Sequence, residues 1–440
     1  MKRFFILSLV LVLLLGLCAC GDKKPVETAK EPQVFRVGFS RVNITGNTSL
    51  PIAGYGNTTQ RMSQGFLDYI CTTCIAITDE KGESVLMYTT DHVCTPNYYP
   101  DLRAAITKAT GVPAERIMLT ATHTHSGPDV RDVIIPSHPY YQIFVDGLVQ
   151  AATEALADRS PATAYSGSTT ADGLNFVRHI VMSDGYIAGD NFGNKETATP
   201  VRNHHPADNE VQLIRFVRPA EDKKDIVMMN FQVHPKLAST ASTGYGRQNR
   251  PLMTSDVVGA TRDYVEKNAD VLCAYYQGAA GNLNPNESYV QGQNTPAQSN
   301  LQAYGKALGG AVVDALPSLT EMTVTPTVGS KQLDFEGTTP SGGTQTMEIN
   351  AVVVGDIGFV TAPFEMFDTT GVYIKDNSPF DTTFVITYAN GRHGYLPSED
   401  TWDFQTSNGT SVYEFSICYY TRGTAEQVAD SLIAMLNELK

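Results

Sequence analysis

The chain has 440 residues, of which 42% are hydrophobic and 18% are charged, and its formal net charge is −14. This composition is that of an ordinary globular protein with enough apolar residues for a large core. Phosphate binding needs clustered lysine and arginine, and the sequence has no such stripe, so the acidic balance argues against a nucleic-acid partner.

The first 20 residues have the pattern of an export signal. Lys2 and Arg3 precede the apolar run Phe4 to Leu17, which is too short for a comfortable membrane span. Leu17-Cys18-Ala19-Cys20 resembles a bacterial lipobox, in which Cys20 would become the lipidated first residue; the alternatives are an ordinary cleaved signal peptide or an uncleaved anchor. Residues 21–34 then form a flexible tether. We expect an exported lipoprotein anchored to a membrane of a bacterial cell envelope.

Five cysteines remain beyond the leader: Cys71, Cys74, Cys94, Cys273 and Cys418. The spacing of Cys71 and Cys74 suits a redox or zinc pair, but the two lie in a largely apolar stretch. This context favours buried free thiols over a disulfide or a second metal site.

From Phe35 onwards, apolar extended runs alternate with amphipathic segments, without an internal repeat or a long linker. The pattern predicts an α/β (α+β) protein with mixed β-sheets flanked by helices, built as one large domain over residues 35–440. The first clear unit is strand 85–90, helix 101–110 and strand 117–122. Asp91 and His123 would then lie at the carboxyl ends of parallel neighbours, the edge where open α/β sheets bind ligands.

Four more predicted strands end in polar or glycine-rich residues. They are 226–231, leading to His234; 271–276, leading to the segment 277–285; 357–361, leading to Glu365; and 384–387, leading to the segment 390–395. Strands commonly end in polar turns, which would explain part of this pattern. It does not explain why the residues are His, Glu and Tyr. The last segment, Thr424 to Lys440, predicts a helix with a capping box at Thr424 and Gln427 and an apolar stripe that packs in the core.

The stretch Ala121 to Pro128 places two histidines one residue apart. In a strand, side chains at i and i+2 share a face, so His123 and His125 would project into one cavity and could begin a metal site. The alternative is a polar strand end with solvated or hydrogen-bonded imidazoles.

In series, these stretches resemble the catalytic domain of neutral, non-lysosomal ceramidases. The most specific is Ala121 to Pro128, and the others match in the family's order over nearly all of the mature chain: Gly54 to Gly56, Thr90-Asp91, Asn175 to Arg178, Met182 to Gly185, Asp208 to Phe216, Val233 to Pro235, Gly281 to Asn286, Pro363 to Glu365 and Gly394-Tyr395.

The resemblance implies a zinc site with four ligands: His123, His234, Glu365 and Tyr395. Imidazoles and a carboxylate are ordinary zinc ligands, and a catalytic zinc keeps a position open for water. Taken alone, His234 would more often be a satisfied core histidine, and Glu365 and Tyr395 would still more often have structural roles. By the same resemblance, His125 would face the reacting carbonyl rather than the metal. Arg178 would help to place the substrate's polar head, although a surface arginine is an equal alternative. From its position, Asp91 could orient a ligating histidine.

One position departs from the family. Where these ceramidases carry an active-site serine, this chain has Asn284, which can donate a hydrogen bond to an oxyanion but cannot be acylated. Attack by a zinc-bound water survives this change. The resemblance therefore implies a zinc-dependent amidohydrolase acting on an N-acyl amide, with ceramide-like lipids (N-acylsphingosine to sphingosine plus fatty acid) as the first substrate.

Two alternatives stay open. One is a zinc hydrolase of a different amide or ester, and the other is a non-catalytic surface lipoprotein that keeps the fold for ligand binding. The oligomeric state does not follow from the sequence.

Overall fold

Three large β-sheets share one central core in the computed structural model of the chain. It describes residues 34–46, 49–55, 61–131, 133–185, 187–189, 199–239, 251–286, 297–408 and 412–440. The export signal with Cys20, and the tether apart from Val34, lie outside the described residues and stay predictions. In the part of the chain that is described, no helix is both long and apolar enough to cross a membrane.

The strands, in chain order, are β1 (Arg36–Asn43), β2 (Cys71–Thr78), β3 (Ser84–Thr90), β4 (Ile117–Met118), β5 (Ser160–Pro161), β6 (Thr163–Thr170), β7 (Asn175–Val177), β8 (His179–Met182), β9 (Ile187–Gly189), β10 (Pro200–Asn203), β11 (Glu210–Val217), β12 (Ile226–Phe231), β13 (Leu272–Gln277), β14 (Leu283–Pro285), β15 (Thr320–Glu321), β16 (Val328–Thr338), β17 (Thr344–Val354), β18 (Ile357–Thr361), β19 (Glu365–Met366), β20 (Thr382–Ile386) and β21 (Tyr395–Leu396). The helices are α1 (Tyr99–Thr110), α2 (Pro139–Ala157), α3 (Asp256–Ala269), α4 (Ala297–Ala315), α5 (Asp368–Asn377), α6 (Glu399–Asn408) and α7 (Thr424–Leu439).

The three large sheets have the strand orders β4-β3-β2-β1-β5, β13-β12-β11-β6-β15 and β16-β17-β18-β20. Each is mixed, because each contains one parallel pair among antiparallel neighbours: β3 with β4, β12 with β13, and β18 with β20. The predicted strand, helix, strand unit is therefore confirmed, and so are the four later strands. The α/β prediction, with mixed sheets flanked by helices, is also confirmed.

Alternation along the strands decides which face meets the common core. On β2, Ile75 and Ile77 pack into the central cluster with residues of the other two sheets, whereas Cys74 and Ala76 face the other way, toward α1 and α2. This period of two is that of an extended chain. Helices α3 and α4 cover the outer face of the second sheet, and α7 covers that of the third.

The cysteines and the last helix test two smaller predictions. All five described cysteines are free thiols, buried or half-buried, as expected. Helix α7 buries its predicted stripe, but the capping box is wrong: the N-cap is Gly423 at φ 86°, with no side-chain cap, and the Thr424 hydroxyl donates to the Thr421 carbonyl instead. A left-handed glycine supplies the turn that a capping threonine would otherwise stabilise.

Candidate active site

His123 lies just beyond the parallel pair β3 and β4. The Thr90–Ala121 bridge prolongs this pair, and His123 then turns out of it with φ 66°, in the left-handed region. Its Nδ1 donates to the Val93 carbonyl at 2.5 Å, which leaves Nε2 as the ring nitrogen that faces Glu365. The side chain is 2% exposed. The backbone thus presents one defined nitrogen of His123 to the interior.

His234 is held in the same manner three residues after β12. Its Nδ1 donates to the Leu283 carbonyl at 2.9 Å, and its amide donates to the same oxygen at 3.3 Å. The side chain is fully buried, and burial, followed by the charge of Arg178, lowers the pKa of His234 to about 3. This histidine is therefore a neutral imidazole whose Nε2 is free to bind a metal ion.

Glu365 faces both imidazoles. Its Oε2 lies 3.5 Å from Nε2 of His123 and 3.4 Å from Nε2 of His234. Burial alone would raise the pKa of Glu365, but its histidine neighbours lower it below the ordinary range, so the carboxylate is ionised. The loop before β14 approaches the Glu365 backbone closely because it contains Gly281, where an added Cβ would lie 2.4 Å from the Glu365 carbonyl oxygen.

These distances fit a metal ion. Four ligand atoms at about 2.0–2.1 Å from a tetrahedral zinc lie about 3.3–3.4 Å from one another, close to the two separations measured here. They exceed the 2.7–3.2 Å of a good hydrogen bond. Consistently, Nε2 of His234 and Oε2 of Glu365 are buried atoms with no hydrogen-bond partner among the described residues. The donor set of two imidazoles and a carboxylate suits zinc.

Tyr395 reaches the same place through a short parallel pairing in which β19 aligns Glu365 with Tyr395 of β21. The Tyr395 side chain is 4% exposed, and burial, together with the charge of Glu365, raises its pKa well above the ordinary value. His123, His234 and Glu365 thus follow strands of the first, second and third large sheets, and the separate β19–β21 pair aligns Tyr395 with Glu365. The fold in this way brings the four residues that the resemblance named into one region.

Arg178 is buried rather than on the surface. Its Nη2 donates to the Tyr395 hydroxyl at 3.1 Å and to the Gly281 carbonyl at 2.6 Å, and its Nε donates to Glu414 at 2.6 Å. Glu414 also lies 3.2 Å from Nε2 of His179. With these partners, Arg178 holds the Tyr395 hydroxyl in place. Its part in binding a substrate head group stays a prediction.

His125 belongs to the same cluster. Its Nε2 lies 3.2 Å from Nε2 of His123, and ligand atoms of His123, His125 and His234 all lie within 4.8 Å of one another, so the three could hold a metal ion. The two imidazoles meet because of the left-handed turn at His123, not because of an extended i, i+2 pair as the sequence predicted. Burial, followed by the charges of its neighbours, lowers the pKa of His125 well below its ordinary value.

A glycine gives His125 its space. An added Cβ at Gly54, where φ is 104°, would lie 2.5 Å from Cβ and Cγ of His125. The ring of Tyr55 meets the imidazole edge-on at 5.1 Å, and Nη2 of Arg61 donates to the His125 carbonyl at 3.3 Å. The matched stretch that begins at Gly54 therefore packs directly on the second histidine of the motif.

Asn284 is fully buried on β14, next to the Leu283 carbonyl that holds His234, and is paired across the sheet with Phe176. It lies one residue from the cluster's backbone support. Its role as an oxyanion donor stays a prediction.

The predicted role of Asp91 is wrong. Both of its carboxylate oxygens accept from Arg262, at 3.0 and 2.9 Å, and Oδ2 also accepts from the Cys71 amide. His123 and His234 are oriented by main-chain carbonyls instead, so no side chain is needed for that task. Asp91 forms a buried ion pair that joins α3 to the first sheet.

Sequence reasoning missed Tyr388. Its ring stacks on His123, with centroids 3.8 Å apart and planes inclined by 17°, and it is 2% exposed. Tyr388, His123 and Glu365 line one cavity of about 360 Å³. The sequence contains no clear signal for Tyr388, because a tyrosine directly after a predicted strand is usually a core-packing residue.

A second group of potential ligands lies nearer the surface. Ligand atoms of His204, His205 and Asp400 lie within 4.8 Å of one another, but all three residues are half-buried or exposed. The buried histidine cluster is the better enclosed of the two.

Comparison with known proteins supports the fold. No family model matches the chain, and no curated protein matches its sequence. Two solved structures are similar to it: neutral ceramidase from Pseudomonas aeruginosa, with 16% identity and a TM-score of 0.71 over 92% of this chain and 74% of that one, and a structure described as ceramidase complexed with C2, with 16% identity and a TM-score of 0.72 over 92% and 75%. At this identity the likeness concerns the fold, and the prediction of a single large domain of the neutral ceramidase type is confirmed.

Proposed function

We propose that this protein is a zinc-dependent amidohydrolase that cleaves an N-acyl amide, with ceramide-like lipids as the first substrate to test. One observation carries the proposal: the Nε2 atoms of two buried imidazoles face one carboxylate oxygen at 3.5 and 3.4 Å, and both opposite ring nitrogens are held by main-chain carbonyls. Two solved structures with this fold are ceramidases, which favours an amide over other substrates.

His123, His234, Glu365 and Tyr395 would hold the metal. A zinc ion there would supply Lewis-acid chemistry and lower the pKa of a water molecule. Arg178, which is itself paired with Glu414, donates a hydrogen bond to the Tyr395 hydroxyl and keeps it in position. Buried and neutral, His125 can take up a proton or donate a hydrogen bond to the developing oxyanion.

The side-chain chemistry of Asn284 restricts the proposed reaction mechanism. An amide side chain donates a hydrogen bond but does not become acylated, so the proposed hydrolysis proceeds by direct attack of water. The same residue favours a second candidate within the class. A chain without the family's serine could act on a different amide or an ester, and the substrate panel below includes both.

The test joins metal analysis to activity. Purified protein is assayed for zinc content and for hydrolysis of fluorescent N-acyl sphingoids, other N-acyl amides and esters, with and without chelator. One zinc per chain and chelator-sensitive turnover are expected. Zinc without turnover of any substrate would refute the hydrolase and leave a binding protein; absence of zinc would refute the site.

Two histidine variants and a control separate the roles. We expect His123→Ala to lose zinc, and His125→Ala to keep zinc but lose turnover. His205→Ala, in the more exposed cluster, serves as the control and should change neither. Equal loss of zinc in His123→Ala and His125→Ala would show that His125 is a ligand and that the proposed division is wrong.

We also propose that the protein is held at a membrane of the cell envelope by a lipid on Cys20. The lipobox-like sequence supports this proposal. Expression of the full chain and of Cys20→Ser in a bacterial host, followed by membrane fractionation and labelling with a fatty-acid analogue, tests it. Labelled, membrane-bound Cys20→Ser protein would contradict it.

A further inference from the structure

Tyr388 has a left-handed backbone conformation, which aromatic residues rarely adopt. It follows β20 with φ 58°, and Asn390 and Gly391, at φ 51° and 116°, also have left-handed backbone. Its amide donates to the Phe364 carbonyl at 3.3 Å, and its own carbonyl accepts from the Thr95 hydroxyl at 3.2 Å. Strained conformations of this kind persist where the surroundings fix them, and they cluster at functional sites.

The ring of Tyr388 covers one face of His123. The two planes are nearly parallel at 3.8 Å, while His125 meets the same imidazole nearly at right angles, with centroids 4.9 Å apart. A phenylalanine would provide the same stacking and the same apolar packing against Val93 and Ala121. Packing therefore explains the aromatic ring at this position but not its hydroxyl group.

The hydroxyl is the unexplained part. It is buried and has no hydrogen-bond partner among the described residues. Other buried tyrosines of this chain satisfy theirs: the Tyr88 hydroxyl donates to the Leu148 carbonyl at 2.7 Å, and the Tyr275 hydroxyl to the Phe231 carbonyl at 2.9 Å. Leaving a buried donor unpaired is destabilising, so the chain retains a costly group beside the cluster.

The cavity suggests the missing partner. Tyr388 lines it together with His123 and Glu365, and its volume of about 360 Å³ is that of a small-ligand pocket. A phenol is protonated at neutral pH and can donate a hydrogen bond to an oxygen. The group that fits is an acceptor on a molecule bound beside His123, at the position where the proposed reaction occurs.

We propose that Tyr388 is a further catalytic residue, whose hydroxyl donates a hydrogen bond to the carbonyl oxygen of the substrate as that oxygen becomes an oxyanion. This inference rests on the proposed hydrolase function. The phenolic proton stays on Tyr388 throughout, so the residue stabilises charge and transfers no proton. It acts from the face of His123 on which its ring stacks.

The decisive variant is Tyr388→Phe, which keeps the ring and removes the oxygen. We expect its zinc content to be unchanged, its kcat to fall 10- to 100-fold and its KM to stay within about twofold, as for an interaction made in the transition state. Its thermal unfolding midpoint should not fall below that of the wild type, since an unpaired donor has been removed. A tetrahedral phosphinate analogue should bind the variant at least tenfold more weakly in calorimetry.

Two controls make the result specific. Tyr88→Phe removes a buried hydroxyl that is hydrogen-bonded, so it should lower the unfolding midpoint and leave kcat unchanged. Tyr388→Leu removes the ring as well and tests the stacking on His123 through zinc affinity.

The outcomes distinguish the two proposals. If the wild type hydrolyses no substrate, the proposed function fails, whatever the variants do. If the wild type is active and Tyr388→Phe retains wild-type kcat, or changes KM alone, the role of Tyr388 is wrong while the hydrolase stands. A lower unfolding midpoint with unchanged phosphinate affinity would show a structural hydroxyl instead.

Discussion

Gly54→Ala tests how tightly the fold positions His125. The added methyl would lie 2.5 Å from Cβ and Cγ of His125 and 2.6 Å from its Cα, whereas carbon atoms in contact prefer about 3.5–4.0 Å. The imidazole or the backbone of Gly54 must therefore move by about 1 Å. The residue also has φ 104°, which is unfavourable for any side chain with a Cβ.

The two costs can be separated by a matched glycine. Gly111 has φ 76°, but an added Cβ there would meet nothing within 4 Å. Gly111→Ala should lose about 1–2 kcal/mol of unfolding free energy from backbone strain alone. Gly54→Ala should lose this and an overpacking cost of about 1–3 kcal/mol more. Urea unfolding at neutral pH measures both variants against the wild type.

Function gives an independent measure of the displacement. A misplacement of about 1 Å in a catalytic group can reduce turnover about 100-fold, so Gly54→Ala should be nearly inactive and Gly111→Ala fully active. Zinc should stay bound in both, because His123, His234 and Glu365 are not touched. The reasoning would be refuted if the two variants had equal unfolding free energies and equal activities; loss of zinc from Gly54→Ala alone would indicate that His125 is a ligand.

Three further predictions concern buried charges. Asp91→Asn should lower the unfolding free energy by about 3 kcal/mol, because it weakens a buried pair with Arg262, yet leave zinc content unchanged; metal loss would restore the role in orienting a histidine that the structure contradicts. Glu414→Gln leaves Arg178 without its counter-charge and should lower the unfolding free energy by about 3–5 kcal/mol at pH 7. Because Arg178 lowers the pKa of Glu414 against the effect of burial, this loss is fully present above the ordinary glutamate pKa of about 4.3 and should shrink as the pH falls below it. Unfolding of both proteins at two pH values checks this dependence. Burial raises the pKa of Asp256 from 3.8 to about 6, so its charge is a penalty that is absent well below pH 3.8 and develops as the pH rises through this range. Between pH 4 and 7 the wild type should lose about 2.4 kcal/mol of unfolding free energy relative to Asp256→Asn. A difference that is independent of pH would contradict the shift.

The elements that the sequence predicted well are those whose information is local. Alternating apolar residues mark a strand, and the polar residues that follow mark its end, so the strands before His234 and Glu365 were predicted at their observed bounds. The strand before His123, predicted over 117–122, extends only over Ile117–Met118, with an isolated bridge at Ala121. The convergence of these ends came from the family resemblance, because no local pattern relates β4 to β12 and β18. That convergence requires three separate sheets around one core, which the sequence indicated only as mixed sheets.

The errors have a common physical origin in long-range contacts. Asp91 was assigned to a histidine because it is near one in sequence, but its partner Arg262 lies 171 residues away. Arg178 looked like a possible surface residue because Glu414, 236 residues away, could not be anticipated. A buried charged side chain requires a partner, but the sequence does not show which residue that partner is.

The main-chain support of the two proposed histidine ligands is the part of the site that is hardest to predict from the sequence. The Nδ1 atoms of His123 and His234 are both held by main-chain carbonyls, of Val93 and Leu283, and every residue type offers the same oxygen. No substitution at those two positions removes the acceptor, so only a shift of the backbone can free the imidazoles. The orientation of the proposed ligands is therefore a property of the sheets that place these loops, and it should withstand mutation of the supporting side chains. Tyr388 represents the opposite case, since the oxygen proposed to act there belongs to a single side chain and is lost with one atom.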